Sequence, residues 1–196
     1  QPDLNTARSN AASAGTTTSA VSFGGSVPGS SAAVEEYSSS SWTSVTSMPA
    51  VRSFHAGGGT QTAALAAGGV ASTGSPYGIY SSSLEYDGTN WTTGGSLNTG
   101  RALVGSAGTQ TAFIVIGGDT NINPHSTQTI CEQYDGSAFS TIPSLSAVGQ
   151  NFRGTGGTTS SAYEAGGFST GGSNVGTTEE YTAETSAVNI VDITTS

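Results

Sequence analysis

The stretch Thr60–Val70, "TQTAALAAGGV", decides how this chain is read. A short run of alanine, leucine and valine closed by two glycines suits a phosphate-cradling loop, a buried strand or low-complexity filler equally well. A phosphate loop requires Gly-x-x-x-x-Gly-Lys-Ser/Thr at the start of a helix, and the chain contains no lysine and no evident helical period. The same wording returns elsewhere with variations: "TTTSAVSFGGS" from Thr16, "TQTAFIVIGGD" from Thr109 and "TTSSAYEAGGF" from Thr158. The stretch is therefore one copy of a repeat, and repeats of 20–50 residues signal solenoids, propellers or arrays.

Further features recur in step. Double glycines fall at Gly24-Gly25, Gly68-Gly69, Gly117-Gly118 and Gly166-Gly167, in steps of 44, 49 and 49. An acidic or amide residue precedes Tyr37, Tyr86, Tyr134 and Tyr181, in steps of 49, 48 and 47. Five residues after the first three tyrosines stand Trp42, Trp91 and Phe139, and the fourth copy has no aromatic there. Each unit opens on an apolar residue (Leu4, Met48, Leu97, Leu145), with Arg8, Arg52 and Arg101 four residues later in the first three.

Within a unit the pattern predicts four short strands. A small-residue segment such as "RALVGSAG" turns at "GTQT" into an apolar strand ending in the double glycine. After a longer loop, a third strand ends at the Glu-Tyr position. "DG" at Asp87-Gly88 and Asp135-Gly136 then makes a tight hairpin into the aromatic-bearing fourth strand. Such a meander of four antiparallel strands describes a propeller blade, with a solenoid of the same units as the structural alternative. The second strands are expected near the axis, where small side chains let neighbours approach. The double glycines turn the backbone through φ values that a Cβ resists. The aromatics are expected to fill the space between adjacent faces, and the glutamates before the tyrosines to hydrogen-bond backbone or solvent.

Composition agrees with a β fold. Hydrophobic residues make up 34% and charged residues only 9% of the 196 residues, while 15 aromatics (two Trp, seven Tyr, six Phe) recur in order. Disorder combines high charge with few aromatics. Four basic against 13 acidic residues give a net charge of −9, which argues against nucleic acid or an anionic membrane as partner, since both need clustered cations. No apolar run is long enough for a membrane helix, and "QPDLNTARSN" lacks the basic and apolar regions of a signal peptide. The single Cys131 reads as a small apolar strand residue.

The double glycine, tyrosine and tryptophan set resembles the kelch-type β-propeller. The wording "AGTQTAxxxxGG…EYDGTxWT" is similar to kelch-like repeats in structural proteins of marine bacteriophages. The expected fold is thus all-β, a kelch-like β-propeller of about four four-stranded antiparallel blades in a single domain over 1–196. Its blades would run approximately 4–47, 48–96, 97–144 and 145–196, with ring closure open.

Strand order puts the short turns at one end of such a propeller. The two-to-three loops and inter-blade links lie at the other. That second end gives the candidate ligand-binding rim: Arg8, Arg52 and Arg101, with Tyr77, Tyr80 and His125 in the loops. Each arginine has two readings, hydrogen bonding to carbonyls of an adjacent loop or contact with an acidic or polar ligand as in kelch propellers. No catalytic group, metal site or cofactor is expected. Some kelch-like propellers hold a copper-radical site, but nothing in the spacing requires His55 and His125 to converge.

The resemblance implies a non-enzymatic virion protein, a tail, fibre or capsid-decorating component that presents a propeller face for assembly or host-surface contact. Its partners would be other virion proteins, a host-surface protein or glycan, or further copies of itself. The alternative is a secreted or cell-surface kelch-type binding module, carbohydrate-directed.

Overall fold

The computed structural model describes residues 2–71, 77–146, 154–167, 173–183 and 188–193, the last as backbone. Every regular element among them is a β-strand. The first unit contains β1 (Ala12–Gly15), β2 (Ser19–Phe23), β3 (Ser26–Val27), β4 (Gly29–Ser30), β5 (Val34–Ser38) and β6 (Trp42–Ser44). The second contains β7 (Ala56–Thr60), β8 (Ala63–Ala67), β9 (Val70–Ala71), β10 (Gly78–Ile79), β11 (Ser83–Tyr86) and β12 (Trp91–Thr93). The third contains β13 (Gly105–Thr109), β14 (Ala112–Ile116), β15 (Asp119–Ile122), β16 (His125–Thr127), β17 (Cys131–Tyr134) and β18 (Phe139–Ile142). The fourth contains β19 (Gly154–Gly157), β20 (Ser161–Ala165), β21 (Thr178–Ala183) and β22 (Val188–Ile193).

The long strands form four antiparallel four-stranded sheets, β1-β2-β5-β6, β7-β8-β11-β12, β13-β14-β17-β18 and β19-β20-β21-β22. Each sheet keeps chain order, so each is a meander of consecutive strands. The loops after the double glycines of the first three units add small hairpins, β3-β4, β9-β10 and β15-β16, where the sequence pattern shows only loop.

The first strands, and not the second, stand against one another from unit to unit. β1 packs beside β7, β7 beside β13 and β13 beside β19, and no contact of comparable extent joins β19 to β1. This corrects the expectation that the second strands lie innermost. The reason is steric. A Cβ on Gly57 would come within 2.4 Å of the Ala12 Cβ, and one on Gly58 within 2.7 Å of the Phe113 ring. The glycines of the first strand permit the close approach, while the apolar second strand is covered on both faces.

The double glycines do take the expected conformation. The first of each pair has φ between 57° and 69°, the second between 92° and 112°. Space matters as much as φ: a Cβ on Gly69 would lie 2.7 Å from the His55 Cβ and 2.8 Å from the Ser53 carbonyl oxygen. The backbone there runs beneath the entrance of the next unit. The Gly25 N–H donates to the Arg52 carbonyl at 2.9 Å and the Gly69 N–H to the Arg101 carbonyl at 2.7 Å.

The core is divided among the three junctions between units. Val21 and Phe23 of the first unit pack with Ala64, Ala66 and Tyr86 of the second. Leu65 and Ala67 pack with Phe113, Val115 and Tyr134 of the third. Ile114, Ile116 and Cys131 pack with Ala162 and Tyr181 of the fourth. Aromatics fill these faces as expected. Tyr86 stacks on Trp91 with centroids 4.8 Å apart, Trp91 also meets Phe23 across the junction at 5.3 Å, and Tyr134 lies 4.7 Å from Phe139. Burial pushes the Cys131 thiol up to about 11, which keeps it protonated and unreactive at neutral pH.

Candidate functional site

The three repeated arginines turn into their own units. Arg8 Nη2 donates to Glu35 Oε1 at 2.6 Å and its Nη1 to the Ala33 carbonyl at 3.0 Å. Arg101 Nη1 donates to Glu132 Oε1 at 2.7 Å, and neither side chain of that pair has any solvent exposure. Arg52 has no carboxylate partner, because Leu84 stands where the other units carry glutamate two residues before the tyrosine. Its guanidinium instead donates to the Gly68 and Ser82 carbonyls and the Ser82 hydroxyl, at 2.7, 2.8 and 2.9 Å, and lies 4.5 Å over the Tyr80 ring. Burial lowers the pKa of all three; the carboxylate opposes this for Arg8 and Arg101, and Arg52 falls to about 10. All three stay cationic at neutral pH.

The arginine part of the expected rim thus performs the first of its two roles, binding carbonyls and carboxylates of the fold. Arg52 and Arg101 are 1% and 0% exposed and offer a ligand no surface in this conformation. Tyr80 is half-buried beneath Arg52, whereas Tyr77 is exposed. His125 is exposed on β16, and its Nδ1 lies 2.5 Å from Oδ2 of the fully buried Asp119. No described contact brings Tyr77 or Tyr80 to His125; they occupy equivalent loops of adjacent units. Among the described residues no three His, Cys, Asp or Glu side chains are grouped to hold a metal ion. His55 is buried, with both ring nitrogens unpartnered, far from this histidine in role and setting.

Four recurring contacts escaped the sequence reading. The first is the glutamate two before the tyrosine. Besides its arginine, Glu35 accepts the Asn5 N–H, Glu132 the Asn98 N–H and Glu179 the Ser146 N–H, each at 2.7 Å. Each carboxylate pins the entrance of its own unit. "VEEY", "CEQY" and "TEEY" carried that signal.

The second is the glutamate one before the tyrosine, which reaches the next unit. Tyr86 donates its hydroxyl to Glu36 at 2.9 Å, and Tyr134 donates to Glu85. The expectation of backbone or solvent contacts for these carboxylates is corrected to a junction contact.

The third is the glutamine of "GTQT". Gln61 Nε2 donates to the Ala20 and Tyr37 carbonyls of the preceding unit, and Gln110 Nε2 to those of Ala64 and Tyr86. Replacing Gln110 with Ala leaves two carbonyls without that donor. The expected loss is about 1–2 kcal/mol in denaturant melts. A change within error would mean solvent replaces the amide.

The fourth is a left-handed backbone residue before the inner strand of each of the first three units. Asn10, Phe54 and Leu103 have φ of 55°, 56° and 57°. The Phe54 N–H donates to the Asn10 carbonyl and the Leu103 N–H to that of Phe54. Such strain in residues with a Cβ persists only where surroundings enforce it, and no residue type in the sequence announces it.

The site and fold together define an all-β protein of repeated four-stranded antiparallel meanders, joined by hydrogen-bonded junctions. No protein-family model and no curated protein sequence matches the chain. Among solved structures it is similar to one titled "Structure of YjhT", with a TM-score of 0.82 and 10% identity. The likeness covers 98% of this chain and 66% of that one. At that identity the likeness is one of fold, and about a third of the YjhT chain has no counterpart here.

Proposed function

We propose that the chain is a kelch-type propeller arc of four blades acting without catalysis, as a structural component of a bacteriophage virion. In a tail, fibre or capsid-decorating position it would present its loop end for assembly or host-surface contact. The observation that carries the non-catalytic part is the use of its reactive side chains. Glu36 and Glu85 hold the next unit's tyrosine hydroxyl, and Glu35 and Glu132 hold arginines and unit entrances. Groups suited to acid–base work are committed to the framework. The virion assignment rests on the resemblance of the repeat wording, helped by low charge and the absence of lysine. Quantitative mass spectrometry and antibody-labelled imaging of purified particles test it. A fixed, symmetric copy number per particle is expected, and absence from the particle overturns it.

The second reading, a secreted or cell-surface module for glycans, is favoured by Tyr77, exposed at 42% in a loop beside the Arg52–Tyr80 stack. Exposed tyrosine supplies an amphipathic stacking surface for a sugar. Retention of a soluble monomer on immobilised glycans, lost in Tyr77→Ala, would select this reading.

A further inference from the structure

One position of the repeat changes its chemistry in the third unit. Ser26, Val70 and Asp119 each follow a double glycine and bridge to the entrance of their own unit, through Ser9, Ser53 and Ala102. Val70 and Asp119 are both 0% exposed. The fold therefore accepts an apolar side chain at this position, and a carboxylate there adds a desolvation cost that the framework does not require.

Three donor groups meet at that carboxylate. Asp119 stands opposite Thr127 across the β15-β16 pair, and His125 lies two residues before Thr127 on the same strand, so the three side chains share one face of the hairpin. His125 Nδ1 is 2.5 Å from Asp119 Oδ2, closer than the about 2.7–3.2 Å of an ordinary N–H···O bond. The other carboxylate oxygen, Asp119 Oδ1, and the Thr127 hydroxyl are both buried without a hydrogen-bond partner. Buried orphan oxygens are rare in folded proteins, and a bound ion is one of the few arrangements that satisfies them. The imidazole is 45% exposed while the carboxylate is 0% exposed, which leaves an approach from solvent on the histidine side.

We propose that Asp119, His125 and Thr127 bind one divalent transition-metal ion. The ion takes the place of the proton between Nδ1 and Oδ2, which leaves to solvent. It is held by the imidazole nitrogen, the carboxylate and the Thr127 hydroxyl, with water in the positions that face solvent. Ligand distances of about 2.0–2.2 Å require the Nδ1–Oδ2 separation to widen to about 3 Å, a shift open to the exposed imidazole. A nitrogen donor selects Zn²⁺ and its neighbours over Mg²⁺ and Ca²⁺, which favour oxygen ligands alone. Because the third donor is a hydroxyl, the site is compatible with the absence of any described group of three carboxylate, imidazole or thiol side chains. The inference stands on these three residues and is independent of the virion and glycan readings.

Calorimetric titration of the chain with Zn²⁺ alone tests it, with Mg²⁺ as the comparison ion. Attribution is direct: the chain has only two histidines and one cysteine, and His55 and Cys131 are buried. One Zn²⁺ per chain is expected, bound at least about tenfold more tightly than Mg²⁺. His125→Ala changes an exposed residue, and Asp119→Val copies the buried Val70, so both should fold, as melting in the presence of a chelator will show. Each should weaken Zn²⁺ binding at least about tenfold, and Thr127→Val should weaken it measurably. A wild type that binds no Zn²⁺ at millimolar concentration overturns the proposal, as does equal affinity for Mg²⁺. Wild-type affinity in any of the three variants also overturns it; in Asp119→Val it would mark an adventitious ion on a surface imidazole only.

Discussion

Glu132→Ala is expected to cost about 3–5 kcal/mol of stability, because it strands the Arg101 guanidinium in a site without solvent. Both side chains of the pair are fully buried, and Arg101 Nε and Nη2 have no partner among the described residues, so Glu132 is the one anion holding that charge. Its loss also frees the Asn98 N–H and side-chain amide, both of which donate to Glu132 Oε2. The double variant Arg101→Leu with Glu132→Leu should recover much of the loss, since apolar replacements of a buried pair remove the desolvation cost as well as the attraction. The second unit shows that the site tolerates a leucine: Leu84 occupies the equivalent position and is itself buried. Urea melts of the two single variants and the double variant give the coupling. A loss below about 1 kcal/mol for Glu132→Ala, the value of an exposed pair, would mean that water reaches the Arg101 site.

The second large effect is on pH dependence. His55 is buried between the double glycines of the first two units, against the Phe23 ring at 5.6 Å. Burial, with help from the Arg52 charge, lowers its pKa from 6.5 to about 3. Between those values the folded protein binds fewer protons at this site than the unfolded chain. The neutral ring therefore costs nothing above about pH 6.5, and stability falls as pH drops below it. At pH 5 the expected loss relative to pH 8 is about 2 kcal/mol from this residue alone. His55→Val, which copies Val104 of the third unit, should flatten the profile by that amount. Carboxylates elsewhere titrate equally in both proteins, so the difference between the two curves isolates His55. Parallel curves would show that the ring gains a proton without unfolding.

Both effects concern residues whose roles the repeat concealed. His55 breaks the pattern set by Ala11 and Val104, so alignment of the units marks it as an exception and gives no reason for it. The glutamate two before the tyrosine was visible in the first, third and fourth units and is replaced by Leu84 in the second. Its meaning needed the arginine beside it. The glutamine of "GTQT" was equally visible, but its acceptors are carbonyls of the preceding unit, and the offset between neighbouring sheets is not written in either. The innermost strand was misassigned for a related reason. Strands one and two are both built of small residues, and only packing distinguishes a glycine that admits a neighbouring strand from an alanine that lines a covered face.

Within the units, the sequence alone determined the four-strand meander, the tight turns, the double-glycine exit and, in the first three, the aromatic pair. Those features follow from local backbone preference and from side-chain alternation along a strand, which act over a few residues. The tertiary structure decided what lies between units: which strands lie innermost, where the arginines turn, and which carboxylate meets which tyrosine. Those outcomes depend on the rotation and offset from one sheet to the next, set by contacts among residues about 50 positions apart, such as Tyr86 with Glu36.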